Sequence, residues 1–199
     1  MKVVLIDSGG ANIGSVRYAL ERLGVDAPLT AEADVIRSAD RVILPGVGAA
    51  ATAMALLRDR GLVEVIRGLQ QPLLGICLGM QLLFEASDEG DVDCLGLLPG
   101  RVRRMQPAAG LRVPHMGWNR LKPRGDSPLL EGIPDGAQVY FVHGYAAPVD
   151  ANTIASSDHG ETFAAVVQRG NVAGAQFHPE RSGAVGARLL QNFLQADPA

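Results

Sequence analysis

Little in this chain suits it to cross-linking, to crossing a membrane or to binding a polyanion. Its 199 residues hold two cysteines, Cys77 and Cys94, too sparse a set for a disulfide framework and one that implies a reducing, cytoplasmic setting. Net charge is −3 and lysines and arginines form no cluster, which excludes a nucleic-acid surface. The most apolar stretch, residues 42–57, is broken by Pro45, Gly46, Gly48 and Thr52, so no membrane span is expected. Lys2 leads into a short apolar run and then Asp7, which does not read as a signal peptide. No linker, repeat or low-complexity segment stands out, and 47% hydrophobic residues supply a substantial core. One domain over residues 1–199 is therefore expected.

What is present in the first half is an alternation of strand and helix signals. Residues 3–6 form a short β-branched run suited to a parallel strand covered on both faces. Ile13, Val16, Leu20 and Leu23 fall on one helical face, residues 41–44 read as a strand stopped by Pro45-Gly46, and Met54, Leu57 and Leu62 open further helical cover. Residues 73–76 make another strand. This order predicts an α/β fold with a central, mostly parallel sheet flanked by helices. From about Leu95 the pattern turns β-rich, with strands expected over 101–105, 118–121, 139–145, 162–168 and 172–177. Val185, Leu189, Phe193 and Leu194 mark a closing helix, and residues 122–128 read as a surface loop.

Gly75-Ile76-Cys77-Leu78-Gly79-Met80-Gln81 carries the chemistry. A strand turning sharply into a helix with a nucleophile at the corner is a nucleophile elbow. Gly75 and Gly79 let strand and helix approach while Cys77 takes a strained conformation, and the first N–H groups of the helix face the sulfur. The bland alternative is a buried cysteine in tight strand–helix packing. A cysteine nucleophile needs a base, and the base needs a group to fix its tautomer. His178-Pro179-Glu180 supplies both, because residues i and i+2 of an extended segment point the same way. His115 and His143 have no carboxylate at that spacing. His159 has Glu161, but residues 156–160 read as a solvated turn.

The elbow, His178-Pro179-Glu180 and the loop Pro45-Gly46-Val47-Gly48 together resemble the class I (triad) glutamine amidotransferases, whose fold is flavodoxin-like. Pro114-His115-Met116-Gly117-Trp118-Asn119, Tyr140-Phe141-Val142-His143 and the arginine and serine at 181–182 narrow the resemblance to the glutaminase subunits of imidazole glycerol phosphate synthase. The resemblance implies that Cys77, His178 and Glu180 hydrolyse L-glutamine through a γ-glutamyl thioester. It places Gly46, Val47 and Leu78 at the oxyanion hole, and Gly48, Gln81, Gly144 and Tyr145 on the substrate. Gly144 stands where serine is usual. The resemblance also implies a heterodimer with a (β/α)8-barrel cyclase that receives the ammonia, and no cofactor or metal. The positions facing that partner or its gate would be Asn12, Pro114, His115, Met116, Gly117, Trp118, Asn119, Tyr140, His143 and Arg181. A glutaminase of another pathway, a cysteine peptidase of related fold and a silent binding subunit stay open.

Overall fold

A computed structural model describes residues 1–9 and 13–195. Strands β1 (Val3–Ile6), β2 (Leu29–Thr30), β3 (Arg41–Leu44) and β4 (Leu73–Ile76) alternate with helices α1 (Ile13–Arg22), α2 (Ala33–Arg37), α3 (Ala50–Asp59), α4 (Leu62–Arg67) and α5 (Leu78–Leu82). The second half is β5 (Ala86–Ser87), β6 (Val92–Asp93), β7 (Arg101–Arg104), β8 (His115–Arg120), β9 (Lys122–Pro123), β10 (Gln138–His143), β11 (Tyr145–Ala146), β12 (Thr153–Asp158), β13 (Thr162–Arg169) and β14 (Val172–Ala175), closed by α6 (Gly183–Gln195).

The main sheet has eight strands in the order β2-β1-β3-β4-β14-β13-β12-β9. It is parallel from β2 to β14 and antiparallel from β13 to β9. Side-chain parity sorts its core into two layers. Val3 and Leu5 pack with α1 and α6, whereas Val4 and Ile6 pack with α2, α3 and α4. All four residues of β1, β3's last three and all of β4 are buried, as strands covered on both faces must be. β8 and β10 form a separate antiparallel pair, and β11-β7-β5-β6 a third small sheet. β4, β14 and β10 therefore converge at one end of the sheet, where α5 begins.

Three expectations need correction. Residues 156–158 lie in β12, not in a solvated turn, and Ser156 and Ser157 are buried between β13 and β9. Small hydroxyl side chains fit a doubly covered sheet, so polarity there did not mean exposure; only the tight return from His159 to Glu161 is a turn. Lys122–Pro123 belongs to the sheet edge as β9. β8 starts three residues earlier than expected, at His115, which the glycine at 117 masks in a pattern search. β2 and α2 had no predicted counterpart, being short and weakly periodic.

Candidate active site

Cys77 sits between β4 and α5 with φ 53° and ψ −112°, a left-handed conformation that a non-glycine residue adopts only when its surroundings enforce it. The enforcement is steric. A Cβ on Gly75 would lie 2.7 Å from the Gly79 backbone, and a Cβ on Gly79 would lie 1.8 Å from the Leu44 carbonyl. Two bare backbones thus let α5 press onto the ends of β3 and β4 and turn the Cys77 side chain outward. The first intrahelical bond runs from the Gln81 N–H to the Cys77 carbonyl at 3.2 Å, so the Leu78 N–H lies ahead of the ladder. Pro45 and Gly46 pack on this corner: a Cβ on Gly46 would lie 2.7 Å from the Gly79 nitrogen.

His178 reaches Cys77 from the end of β14. Its N–H donates to the Tyr140 carbonyl at 2.9 Å, and Ser182 Oγ donates to the His178 carbonyl at 2.7 Å while accepting from the Tyr140 N–H at 2.9 Å. These bonds tie the histidine to β10. Glu180 Oε1 lies 2.8 Å from His178 Nδ1, with both side chains almost wholly buried. The contact is made through a 3-10 turn over Pro179–Arg181, not along an extended segment. Proline's fixed φ suits the first position of such a turn, and the curl brings the carboxylate back to the ring. Burial works against a charge on His178, but hydrogen bonds to Cys77 and Glu180 and their negative charge prevail and push its pKa up to about 10.

Around this pair lies a cleft of about 360 Å³ lined by Val47, Gly48, Cys77, Leu78, Gln81, Glu89, Pro114, Val142, His143, Gly144, Tyr145, His178 and Arg181. Its size suits a single amino acid. Gln81 is buried, with Nε2 donating to the Tyr145 carbonyl at 2.9 Å and to Gln176 Oε1 at 3.0 Å. Gly48, with φ 98°, sits exposed at the rim in a conformation that suits glycine. Three participants are absent from the sequence-based set. Gln176 Nε2 lies 3.9 Å from Cys77 Sγ, and the Val142 carbonyl lies 3.7 Å from the same sulfur. Glu89 brings a carboxylate to the cleft and accepts from the Ala50 N–H at 2.9 Å. Gln176 precedes His178 by two residues and parity could have found it; Glu89 comes from a loop with no local signal.

The positions expected to face a partner divide by the pleat of β8 and β10. Met116 and Trp118 are 65% and 55% exposed, and Pro114 is exposed beside them. Trp118 meets its cross-strand neighbour Tyr140 edge-on at 5.9 Å, and the Arg181 guanidinium lies 4.5 Å above the Tyr140 ring. Gly117 and Asn119 are half-buried, and His115 and His143 are buried at 3% and 5%. The two histidines therefore leave the surface set: His115 differs from Trp118 by an odd number of positions and must point the other way. Asn12 lies outside the described residues. Cys94 is buried, and burial pushes its thiol up to about 11, which leaves it unreactive.

The sequence pattern of the glutamine amidotransferase class-I family matches residues 4–196. This chain belongs to that family. A relative from Xanthomonas axonopodis pv. citri, named imidazole glycerol phosphate synthase subunit HisH, is 68% identical over 97% of this chain and 96% of its own length. One from Xylella fastidiosa (strain Temecula1) with the same name is 62% identical over 100% of this chain and 99% of its own. The fold is shared with a solved glutamine amidotransferase, with TM-score 0.75 at 24% identity over 98% of both chains. Among the described residues no helix is long and apolar enough to cross a membrane.

Proposed function

We propose that this chain is the glutaminase subunit of a cytoplasmic imidazole glycerol phosphate synthase. The observation that carries the reading is a cysteine at a strained elbow, beside a carboxylate-paired histidine, in a chain 68% identical to a protein of that name. Cys77 Sγ attacks the side-chain amide carbon of glutamine, and the C=O π electrons move to oxygen. The Leu78 N–H and an N–H from the Gly46-Val47-Gly48 segment receive that oxyanion; one such donor typically contributes ~3 kcal/mol. The His178 imidazolium delivers its proton to the leaving nitrogen, the C–N bond breaks, and ammonia departs from a γ-glutamyl thioester. His178 then takes a proton from water, whose oxygen attacks the thioester carbon and expels the Cys77 thiolate with glutamate. Glu180 holds His178 Nδ1 throughout.

Glu89 is the carboxylate among the cleft-lining residues and the natural partner of the substrate α-ammonium. Gln81, Gly48, Gly144 and Tyr145 hold the amino-acid end. Gly144 offers only main-chain groups to that end of the cleft. Ammonia released at Cys77 is best used by a partner sealing the cleft. Pro114, Met116, Trp118 and Arg181 are exposed around the half-buried Tyr140 and form an aromatic and cationic patch beside it, suited to docking a (β/α)8-barrel cyclase. The test is glutamine labelled with nitrogen-15 at the amide, given to this chain plus the cyclase and its nucleotide-derived substrate in unlabelled ammonium buffer. Label entering the imidazole product supports the reading; label found only in free ammonium contradicts it.

A further inference from the structure

Behind the exposed face of β8 and β10, the two inward histidines form a chain whose direction the structure dictates. His143 Nδ1 lies 2.8 Å from the Tyr145 carbonyl, which can only accept, so Nδ1 carries the proton. Neutral His143 then has an acceptor at Nε2, and His115 Nδ1, 3.0 Å away, must donate to it. His115 Nε2 in turn accepts from Asn119 Nδ2 at 3.3 Å, and that amide also donates to the Asp158 carbonyl at 2.8 Å. Every bond points the same way, from Asn119 through both rings to the Tyr145 carbonyl. The same oxygen accepts from Gln81 Nε2 at 2.9 Å, and Gln81 continues to Gln176 beside the Cys77 sulfur.

The surroundings hold both rings neutral. Phe141 stacks on His115 at 4.9 Å and Phe163 meets His143 edge-on at 4.9 Å. The titratable groups facing them are other histidines. His159 stacks on His115 at 4.0 Å with its Nε2 bonded to the Arg112 carbonyl, and His178 faces His143. Asp158's carboxylate is engaged by Lys122 and Thr162 instead. Burial is the largest influence on both rings, and the neighbouring histidines add to it, pulling His115 down to about 4 and His143 to about 3. A second proton on His143 would set its Nε2–H against the His115 N–H and break the link. Apolar side chains would fill this space without needing four aligned partners, so the polar chain does more than pack.

We propose that His115 and His143 are positioning residues for the substrate: their one-way hydrogen-bond chain fixes the Tyr145 carbonyl, and with it Gln81, at the amino-acid end of the Cys77 cleft. The inference rests on the glutaminase reading. It makes glutamine affinity, not the chemical step, the quantity the histidines control.

The test compares His143→Leu and His143→Asn with the parent protein in complex with its cyclase, reading KM and kcat for glutamine. Asn can place a side-chain N–H where Nδ1 stood; Leu cannot. Losing a buried hydrogen bond to the cleft should raise KM about tenfold or more in His143→Leu with kcat within about threefold. His143→Asn should stay within about threefold of the parent in both. Thermal melting reports whether each variant is folded. In the parent, nitrogen-15 imidazole shifts should show the Nδ1–H tautomer on both rings, and KM should be flat from about pH 5.5 to 8. An Nε2–H tautomer on either ring, an unchanged KM in a folded His143→Leu protein, or equal defects in both variants would overturn the proposal. A parent complex that releases no glutamate would instead sink the glutaminase reading beneath it.

Discussion

Among single residues, Cys77, His178 and Glu180 share charge across one buried cluster. Burial alone would leave His178 neutral, yet its pKa lies near 10 because Cys77 and Glu180 both favour the imidazolium. A folded-state value above the ordinary histidine value of about 6.5 means that this pairing contributes its full stability below about pH 6.5. That contribution is lost as pH rises through the value near 10. Cys77→Ala removes one of the two partners, so His178 should titrate at lower pH in that variant, measured by imidazole NMR. A titration unchanged from the parent would mean that sulfur and ring do not interact. Glu180→Gln leaves the ring in place but offers an amide where Nδ1–H needs an anion, and kcat should fall on the order of 10²-fold or more with KM little changed. Steady-state kinetics in the complex would check this split.

At the scale of elements, glycines decide where helices can approach the site. In α6, a Cβ on Gly186 would lie 1.9 Å from the Pro179 carbonyl, within the turn that carries Glu180. In α1, a Cβ on Gly14 would meet nothing nearer than the Tyr18 ring at 3.9 Å. The same substitution should therefore have opposite signs. Gly186→Ala should destabilise the protein by about 1–3 kcal/mol and lower glutaminase activity by shifting Glu180. Gly14→Ala should stabilise it by about 0.5–1 kcal/mol through helix propensity. Urea melts of both variants decide the matter, and equal effects would contradict it.

The elements also show which parts of the molecule a sequence discloses. β1, β3, β4, α1 and α6 were legible because their apolar residues follow a single period and are bounded by proline, glycine or charge. The elbow was legible because the Gly-x-Cys-x-Gly spacing has a steric reason, which the Gly75 and Gly79 contacts supply. β12 was not, because buried serines look like a turn to a polarity scan. The inward direction of His115 and His143 was written in the parity of β8 and β10, but the resemblance grouped them with Trp118 and Tyr140 as one partner-facing set. Glu89 was invisible, since its place in the cleft depends on how residues 83–100 fold back on the sheet.

At the scale of the whole molecule, two of the four histidines are interior neutral groups, and acid stability should reflect that. His115 and His143 have folded-state values of about 4 and about 3, below the ordinary value, so the unfolded chain binds protons that the folded chain refuses. Stability should thus fall as pH drops below about 6.5, by up to ~1.4 kcal/mol per pH unit for each proton so refused. The fall should level off near those two values as far as these groups are concerned. Denaturant melts between about pH 7 and 4.5 should show the slope, and it should shrink in His143→Leu. An unchanged slope in that variant would assign the acid sensitivity elsewhere.

The same whole-molecule view sets the cleft beside an aromatic, arginine-bearing face, so glutamine hydrolysis and partner docking should be linked. The most direct measurement is glutamate release from glutamine by the purified chain, alone and with the cyclase plus its nucleotide ligand, with Cys77→Ala as the blank. Slow release by the chain alone, strong stimulation in the liganded complex and none in the blank are expected. Equal turnover with and without the partner, or release that survives Cys77→Ala, would contradict this expectation.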